Sequence, residues 1–314
     1  MSATDVPDSA VRATASGEPM PVVTSGDELP RHPRKRRLSP RLRAGAIGSY
    51  LMLIILALVY IYPFLISVSS SVKTDSDAAN NPLSLLPQTW SFAAYERLFT
   101  DVPLPLWTMN SAIVAIAVTL GRVFFNSLAG YALSRLRFRG RGVVFGIVIA
   151  VISVPNVVLL IPRFLVLKEL GIYNTYAGMI VPLLVDAAGI FIMKQFFESI
   201  PISVEEAARI DGAGIFRTFW TIVLPMARPA LITLVILSFQ GSWNEFAHFV
   251  VSRQSASLNT LTTGVASLTS GELGTGTQYP LKLAAAVLMS IPVAVLFFIF
   301  QKRLMNTTEG GEKG

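Results

Sequence analysis

The chain has 314 residues, a formal net charge of +7, 14% charged residues and a mean hydropathy of +0.57, whereas a soluble domain carries about 25% charged residues. It has no cysteine, and its two histidines, His32 and His248, belong to no HExxH sequence, so disulfides, thiolate metal sites and that zinc motif are excluded. Neither a phosphate-binding GxxxxGK(S/T) loop nor a GxSxG elbow occurs, so chemistry of those kinds has to come from elsewhere.

Residues 1–30 are rich in Ser, Thr, Pro, Gly, Asp and Glu and read as a disordered tail. Residues 31–43, RHPRKRRLSPRLR, hold seven Lys/Arg and no acid. The uncharged run that follows, Ala44 to Val72, is too long for the core of a signal peptide. The basic block therefore holds the N-terminus in the cytoplasm, with contact to anionic lipid as a second reading. Positive charge placed beside apolar spans argues against a nucleic-acid partner.

The apolar blocks predict an all-α integral membrane protein with six transmembrane helices, at about 45–68, 107–133, 143–167, 176–197, 230–251 and 283–300. Each can cross roughly 30 Å of hydrocarbon. The membrane domain is expected over 44–305, between the tail 1–43 and a short C-terminal tail 306–314. Pro155 and Pro162 are expected to kink the third span and free carbonyls. Arg135, Arg137, Arg139 and Arg141 follow the second span, and Lys302 and Arg303 follow the sixth. On the other side, 73–106 sets Lys73 and Arg97 against Asp75, Asp77, Glu96 and Asp101. This bias puts both termini in the cytoplasm. Within that outer stretch, SFAAYERLF places Phe92, Tyr95, Leu98 and Phe99 near one face of a short helix, which reads as packing.

Between the fourth and fifth spans lies a polar, proline-bracketed stretch at about 198–229, cytoplasmic by the same bias. Ser203 and Glu206 have the S-x-x-E spacing of a capping box. Ala207 and Ala208 leave a closely approachable helix face. Gly212 and Gly214 can end that helix through positive φ. Phe216, Phe219 and Trp220 follow, a set too apolar to sit comfortably in water. Leu224-Pro225 turns the chain toward the fifth span, which Pro229 opens. Two readings follow from these residues: a helix–turn–helix that fits a partner's groove, or an amphipathic loop lying on lipid headgroups.

These same residues carry a resemblance. Glu206-Ala207-Ala208, Asp211-Gly212-Ala213, Ile222 and Leu224-Pro225 resemble the EAA loop of binding-protein-dependent ABC importer permeases. NSAIVAIAVTL, YALSRLRFRGR, IPRFLVLKELGIYNT and SWNEF extend the likeness over about 44–305. The likeness is to the sugar-importing branch, and within it to the second permease of the maltose type. It implies the type I ABC importer permease fold, in a multi-pass subunit of the bacterial cell membrane with no catalytic residue and no metal site. The implied partners are a second permease, a cytoplasmic ATPase homodimer and an extracytoplasmic sugar-binding protein, in a lipid membrane. ATP and Mg would be held by the ATPase, and no cofactor by this chain. Glu206 would anchor the loop, and Gly212 would set the turn that enters the ATPase.

Ionisable groups inside spans need partners or water. For Arg122 and Asp186 structural pairing is the favoured reading. Gln240, Trp243, Asn244 and Glu245 in the fifth span, with Asn156 in the third, carry groups that suit sugar hydroxyls and ring faces. The same groups also serve as glue between helices. Two alternatives stand beside the sugar reading. One is a permease for peptides or polyamines. The other is an ion-coupled transporter using Arg122, Asp186 and Glu245, for which no internal repeat is evident. The scarcity of histidine and of nucleophile motifs argues against an enzyme.

Overall fold

The computed structural model describes residues 40–269 and 278–309. The expected disorder of 1–30, most of the basic stretch 31–43 and the end of the C-terminal tail lie outside the described residues. Among those described, regular structure is helical throughout. In chain order the helices are α1 Pro40–Ser71, α2 Asp75–Asn80, α3 Ala93–Thr100, α4 Leu104–Arg135, α5 Arg141–Ile152, α6 Leu160–Glu169, α7 Tyr176–Ile180 and α8 Ala187–Ser199. There follow α9 Ile202–Ile210, α10 Ile215–Thr218, α11 Leu224–Met226, α12 Arg228–Trp243, α13 Ala247–Ser252, α14 Leu261–Thr269 and α15 Tyr279–Glu309. Of the described residues, those up to Ala57 fall in one compact unit and those from Leu58 onward in a second.

Four stretches are long and apolar enough to cross a membrane: Gly48–Ser71, Leu104–Arg135, Tyr176–Ser199 and Tyr279–Gln301. Two bent pairs raise the number to six. The first joins α5 to Asn156–Glu169 across a 100° bend. Pro155, extended at φ −60° and ψ 128°, sits at that break. Pro162 does not break the helix as expected. It falls in the first turn of α6, where its missing N–H has no intrahelical partner to lose. The second bent pair joins Ile215–Met226 to α12 at 79°.

α4 is the central element of the second unit, packed along α8 and α12. Its crossing with α8 is close because Gly130 lies against the chain of α8. A β-carbon there would sit 2.9 Å from the Lys194 backbone nitrogen, so any larger residue would force the helices apart. Three buried clusters line α4. One, with Trp107 and Ala115, takes Trp243, Leu261 and Leu281. A second gathers Val114, Val118, Met179 and Phe249. The third, at the other end, gathers Tyr131, Met193, Phe197, Phe219 and Val223.

The Trp107 end of α4 is knitted by side chains reaching across the sequence. Asn110 donates to the carbonyls of Ser257 and Asn259, each at 2.8 Å, and Ser111 accepts the Leu261 N–H at 2.8 Å. Asn174 accepts the N–H groups of Gln254 and Ser255 at 2.8 Å. Helix α3 forms where the short amphipathic helix was expected, but its buried face differs. Ala94 and Leu98 are buried, whereas Phe92 and Phe99 are 66% and 61% exposed. Leu98 and Ala94 share a face at four-residue spacing, and that face joins the Trp107 cluster.

Candidate functional site

The stretch between α8 and α12 projects as two short helices on a buried root. Pro201 precedes α9 with extended geometry, and no side chain caps this helix end. Ser203 falls inside the first turn rather than before it, so the expected capping box does not form. The fixed φ of Pro201 ends the extended connection, and α9 starts directly after it. At the other end, Gly212 adopts φ +77°. The Gly212 N–H donates to the Arg209 carbonyl at 3.0 Å and the Ala213 N–H to the Ala208 carbonyl at 2.9 Å. This is the Schellman arrangement that satisfies the last helix carbonyls. Gly214 does not share it: at φ −73° and ψ 167° it is extended and starts α10.

Beyond α10 the helix widens over Phe219–Val223, where the Leu224 N–H reaches the Phe219 carbonyl five residues back. A π-type turn of this kind gives room to the ring of Pro225, which otherwise clashes with the preceding turn. The bend into α12 therefore comes at Ala227, two residues after Pro225, and the fully buried Ala227 fills that corner.

The two faces of the element contrast. Ala208, Thr218, Phe219, Val223 and Ala227 are buried. Ile210, Phe216, Ile215 and Trp220 stand 87%, 76%, 52% and 45% exposed. Glu206, Ala207, Asp211 and Gly212 share that open side, with Ala213, Leu224 and Pro225 half-buried at its edge. Nothing lies within 4 Å of the position a Gly212 β-carbon would take. The site is a largely apolar tip with two exposed carboxylates, Glu206 and Asp211, on its open side.

The root is held by Glu205, not Glu206. The Arg135 Nε lies 3.0 Å from Glu205 Oε1, with side chains 8% and 2% exposed. The second Glu205 oxygen accepts from the Tyr131 hydroxyl at 3.4 Å and lies 3.8 Å from Arg209 Nη2. The Arg135 Nη2 donates to the carbonyls of Phe197 and Ile200 at the end of α8. One guanidinium thus ties α4, α8 and α9 together. Arg141 and Lys194 meet Glu198 on the same end, at 3.5 and 2.7 Å. The sequence carried a signal for Glu205. It lies three residues before Ala208, so both point to one helix face, while Glu206 and Ala207 point away.

Halfway along α4, Arg122 pairs with Asp186. The Arg122 Nε donates to the Leu183 carbonyl at 2.7 Å and lies 3.4 Å from Asp186 Oδ2. Asp186 also caps α8, accepting the Gly189 N–H at 2.6 Å, and takes the Asn126 amide at 3.1 Å. Structural pairing is the expectation for each group; that each is the other's partner within the chain is decided by the fold.

The fifth span is shorter than expected. α12 ends at Trp243, and a turn at Asn244–Phe246 leads into α13. Glu245 sits in that turn rather than in the span. Its carboxylate accepts the His248 N–H at 2.9 Å and its carbonyl accepts the Thr262 hydroxyl at 2.7 Å. Both bonds stabilise the break. Trp243 is buried, stacked on Phe239 at 5.5 Å, and its indole N–H donates to the Met289 carbonyl at 3.0 Å. Gln240 and Asn244 are exposed, as is Asn156 on the separate Asn156–Leu159 turn. Gln240 and Asn244 are thus brought together on one face of α12, and Asn156 lies on another element.

Known proteins are similar to this chain over most of its length. The family described as binding-protein-dependent transport system inner membrane component matches residues 126–308. The diacetylchitobiose uptake system permease protein NgcG of Streptomyces coelicolor is 31% identical over 271 residues, 86% of this chain and 89% of that one. The sulfoquinovosyl glycerol transport system permease protein SmoH of Agrobacterium fabrum is 34% identical over 257 residues, 81% of this chain and 89% of that one. In structure, the chain is similar to a bacterial ABC transporter involved in import of the acidic polysaccharide alginate. The TM-score is 0.74 at 27% identity, covering 84% of this chain and 98% of that one.

Proposed function

This chain belongs to the family of binding-protein-dependent transport system inner membrane components, and we propose that it forms half of the pathway of an ATP-driven carbohydrate importer. It is a multi-pass membrane protein and a permease subunit. The carbohydrate assignment is supported by the solutes named for its relatives, a chitobiose derivative, a sulfoquinovosyl glycerol and alginate. In this reading a second permease completes the pathway, an extracytoplasmic binding protein delivers the solute, and cytoplasmic ATPases bind the α9–α11 tip. Both termini are cytoplasmic. That orientation is supported by Arg135 and Arg141 lying at the same end as α9. ATP and Mg belong to the ATPases, and this chain supplies no cofactor site.

The observation that carries the coupling role is the exposed tip on a buried charged root. Ile210 and Phe216 face outward on either side of Gly212, which is one of the matched EAA positions, and Glu205 fixes the tip to α4 and α8. Movement of the bound ATPases would be transmitted through this root, because a buried ion pair does not slide. Glu206, Ala207, Ala208, Asp211, Gly212, Ala213, Leu224 and Pro225 make up the coupling element. Gln240 and Asn244 remain the leading solute-pathway groups, because their side chains are open. Trp243 and Glu245 act there through positioning, and Asn156 stands apart.

Detergent copurification from the native membrane tests the assignment: it is expected to bring down an ATPase and a carbohydrate-binding receptor. A receptor for peptides or polyamines would replace the solute class. Gly212→Glu is expected to insert normally but to uncouple ATP hydrolysis from uptake in proteoliposomes. Gly212→Asn, which tolerates positive φ, is expected to retain most uptake. Wild-type uptake by the Gly212→Glu variant would remove the docking role from this turn.

A further inference from the structure

Arg122 is fastened by one nitrogen only. Its Nε serves both the Leu183 carbonyl and Asp186. Its two Nη groups, with four N–H donors between them, make no hydrogen bond or ion pair among the described residues. A guanidinium within a span carries unpaired donors only at a cost, unless water or a ligand meets them. The opening lies toward α12. A β-carbon on Gly241 would lie 3.7 Å from Arg122 Nη1 and, its own stretch of helix aside, within 4 Å of no other atom among the described residues. Gly241 is exposed, and Gln240 and Asn244 flank it on the same open face. A glycine here leaves the forked edge of the guanidinium uncovered.

Asp186 does not cancel this edge completely. Its carboxylate is also shared with the Gly189 N–H at the start of α8 and with the Asn126 amide. Positive character therefore remains on the Nη side, with two amide side chains beside it.

We propose that Arg122 and the Gly241 gap form an oxyanion-binding step in the solute pathway, which takes an acidic group (a carboxylate, phosphate or sulfonate) on a carbohydrate. The forked Nη edge matches two adjacent oxygens, and Gln240 and Asn244 meet neighbouring hydroxyls. The proposal rests on the permease reading above and deepens it. It assigns Arg122 a second role, beyond pairing with Asp186.

The test uses the absence of cysteine from this chain. Gly241→Cys is introduced into the assembled transporter in native membranes. It is treated separately with an anionic and a cationic methanethiosulfonate, the sulfonate of the former serving as the acidic probe. Rates are normalised to a free thiol in water, and modification is read by mass on this chain. The anionic reagent is expected to be favoured by about tenfold or more, the scale of electrostatic focusing in a charged cleft. Arg122→Gln in the same background is expected to abolish the preference, and Arg122→Lys to keep part of it. Three results would overturn the proposal. One is modification by a membrane-permeant maleimide alone, which places Gly241 against lipid or protein. The second is modification with no charge preference, which leaves only neutral hydroxyls as partners. The third is a preference that survives Arg122→Gln. Should the double variant fail to assemble, the charge preference of the single cysteine decides. None of these readouts depends on which solute is carried, so the carbohydrate assignment can fail in copurification while this step stands, and the reverse.

Discussion

Arg135 and Arg122 stand on the same helix, and each faces a carboxylate from a later segment, yet the two regions of α4 use the pair differently. At the C-terminal end of α4, Arg135 is engaged through both Nε and Nη2, and its acid is 2% exposed. Midway, Arg122 is engaged through Nε alone, and its acid is 28% exposed. A fully enclosed pair can only hold elements in place. A pair with one open edge can hold one element and still bind something else. Charge in a span is therefore not one signal: its meaning depends on how many donors the fold consumes.

The strongest way to break this comparison is to remove Glu205. Glu205→Ala leaves Arg135 buried without its acid, at a cost of about 3–5 kcal/mol. It is expected to abolish recovery of the assembled complex or to lower its thermal midpoint sharply in detergent. Replacing both partners by apolar residues, as Arg135→Met with Glu205→Leu, is expected to restore much of that stability without restoring coupled uptake. Recovery of both would mean that the root does no mechanical work.

Arg122→Met is the matched change in the middle of α4. The Leu183 carbonyl loses its donor and Asp186 loses its cation, but the carboxylate keeps the Gly189 N–H and the Asn126 amide. The expected cost is about 1–2 kcal/mol, read as a modest shift of the same thermal midpoint. A loss as large as that of Glu205→Ala would show that the two pairs are equally structural.

The smallest expected effect on stability sharpens the contrast from the surface. Glu206→Gln alters an exposed carboxylate and should change the midpoint by no more than about 0.5 kcal/mol. Uptake per ATP hydrolysed is nevertheless expected to fall, because Glu206 is one of the tip's two exposed carboxylates. Unchanged coupling would move the docking contact elsewhere on the tip.

Much of this architecture was legible in the chain. The apolar blocks located the membrane helices, and Gly212 marked the turn because few other residues adopt positive φ. That Arg122 and Asp186 each need a partner was readable, because a lone charge in a span is costly; that each is the other's partner was not. The errors also have physical causes. Ser203 has the right spacing for a cap, but Pro201 started the helix sooner. The fifth span stops at Trp243 because Glu245 and Thr262 stabilise a turn whose partners lie on other segments. Phe92 and Phe99 were assigned to the buried side of α3 by hydrophobicity alone, while Ala94 and Leu98 fit the available space.

The helical membrane class and the turn at Gly212 follow from local quantities: hydropathy over a helix length and the backbone freedom of one residue. The choice of Glu205 over Glu206 as the buried acid, and of Arg122 as the arginine with a free edge, required the packed helices. Those outcomes depend on distances between segments far apart along the chain, and a linear pattern carries no information about which donors a neighbouring helix will occupy.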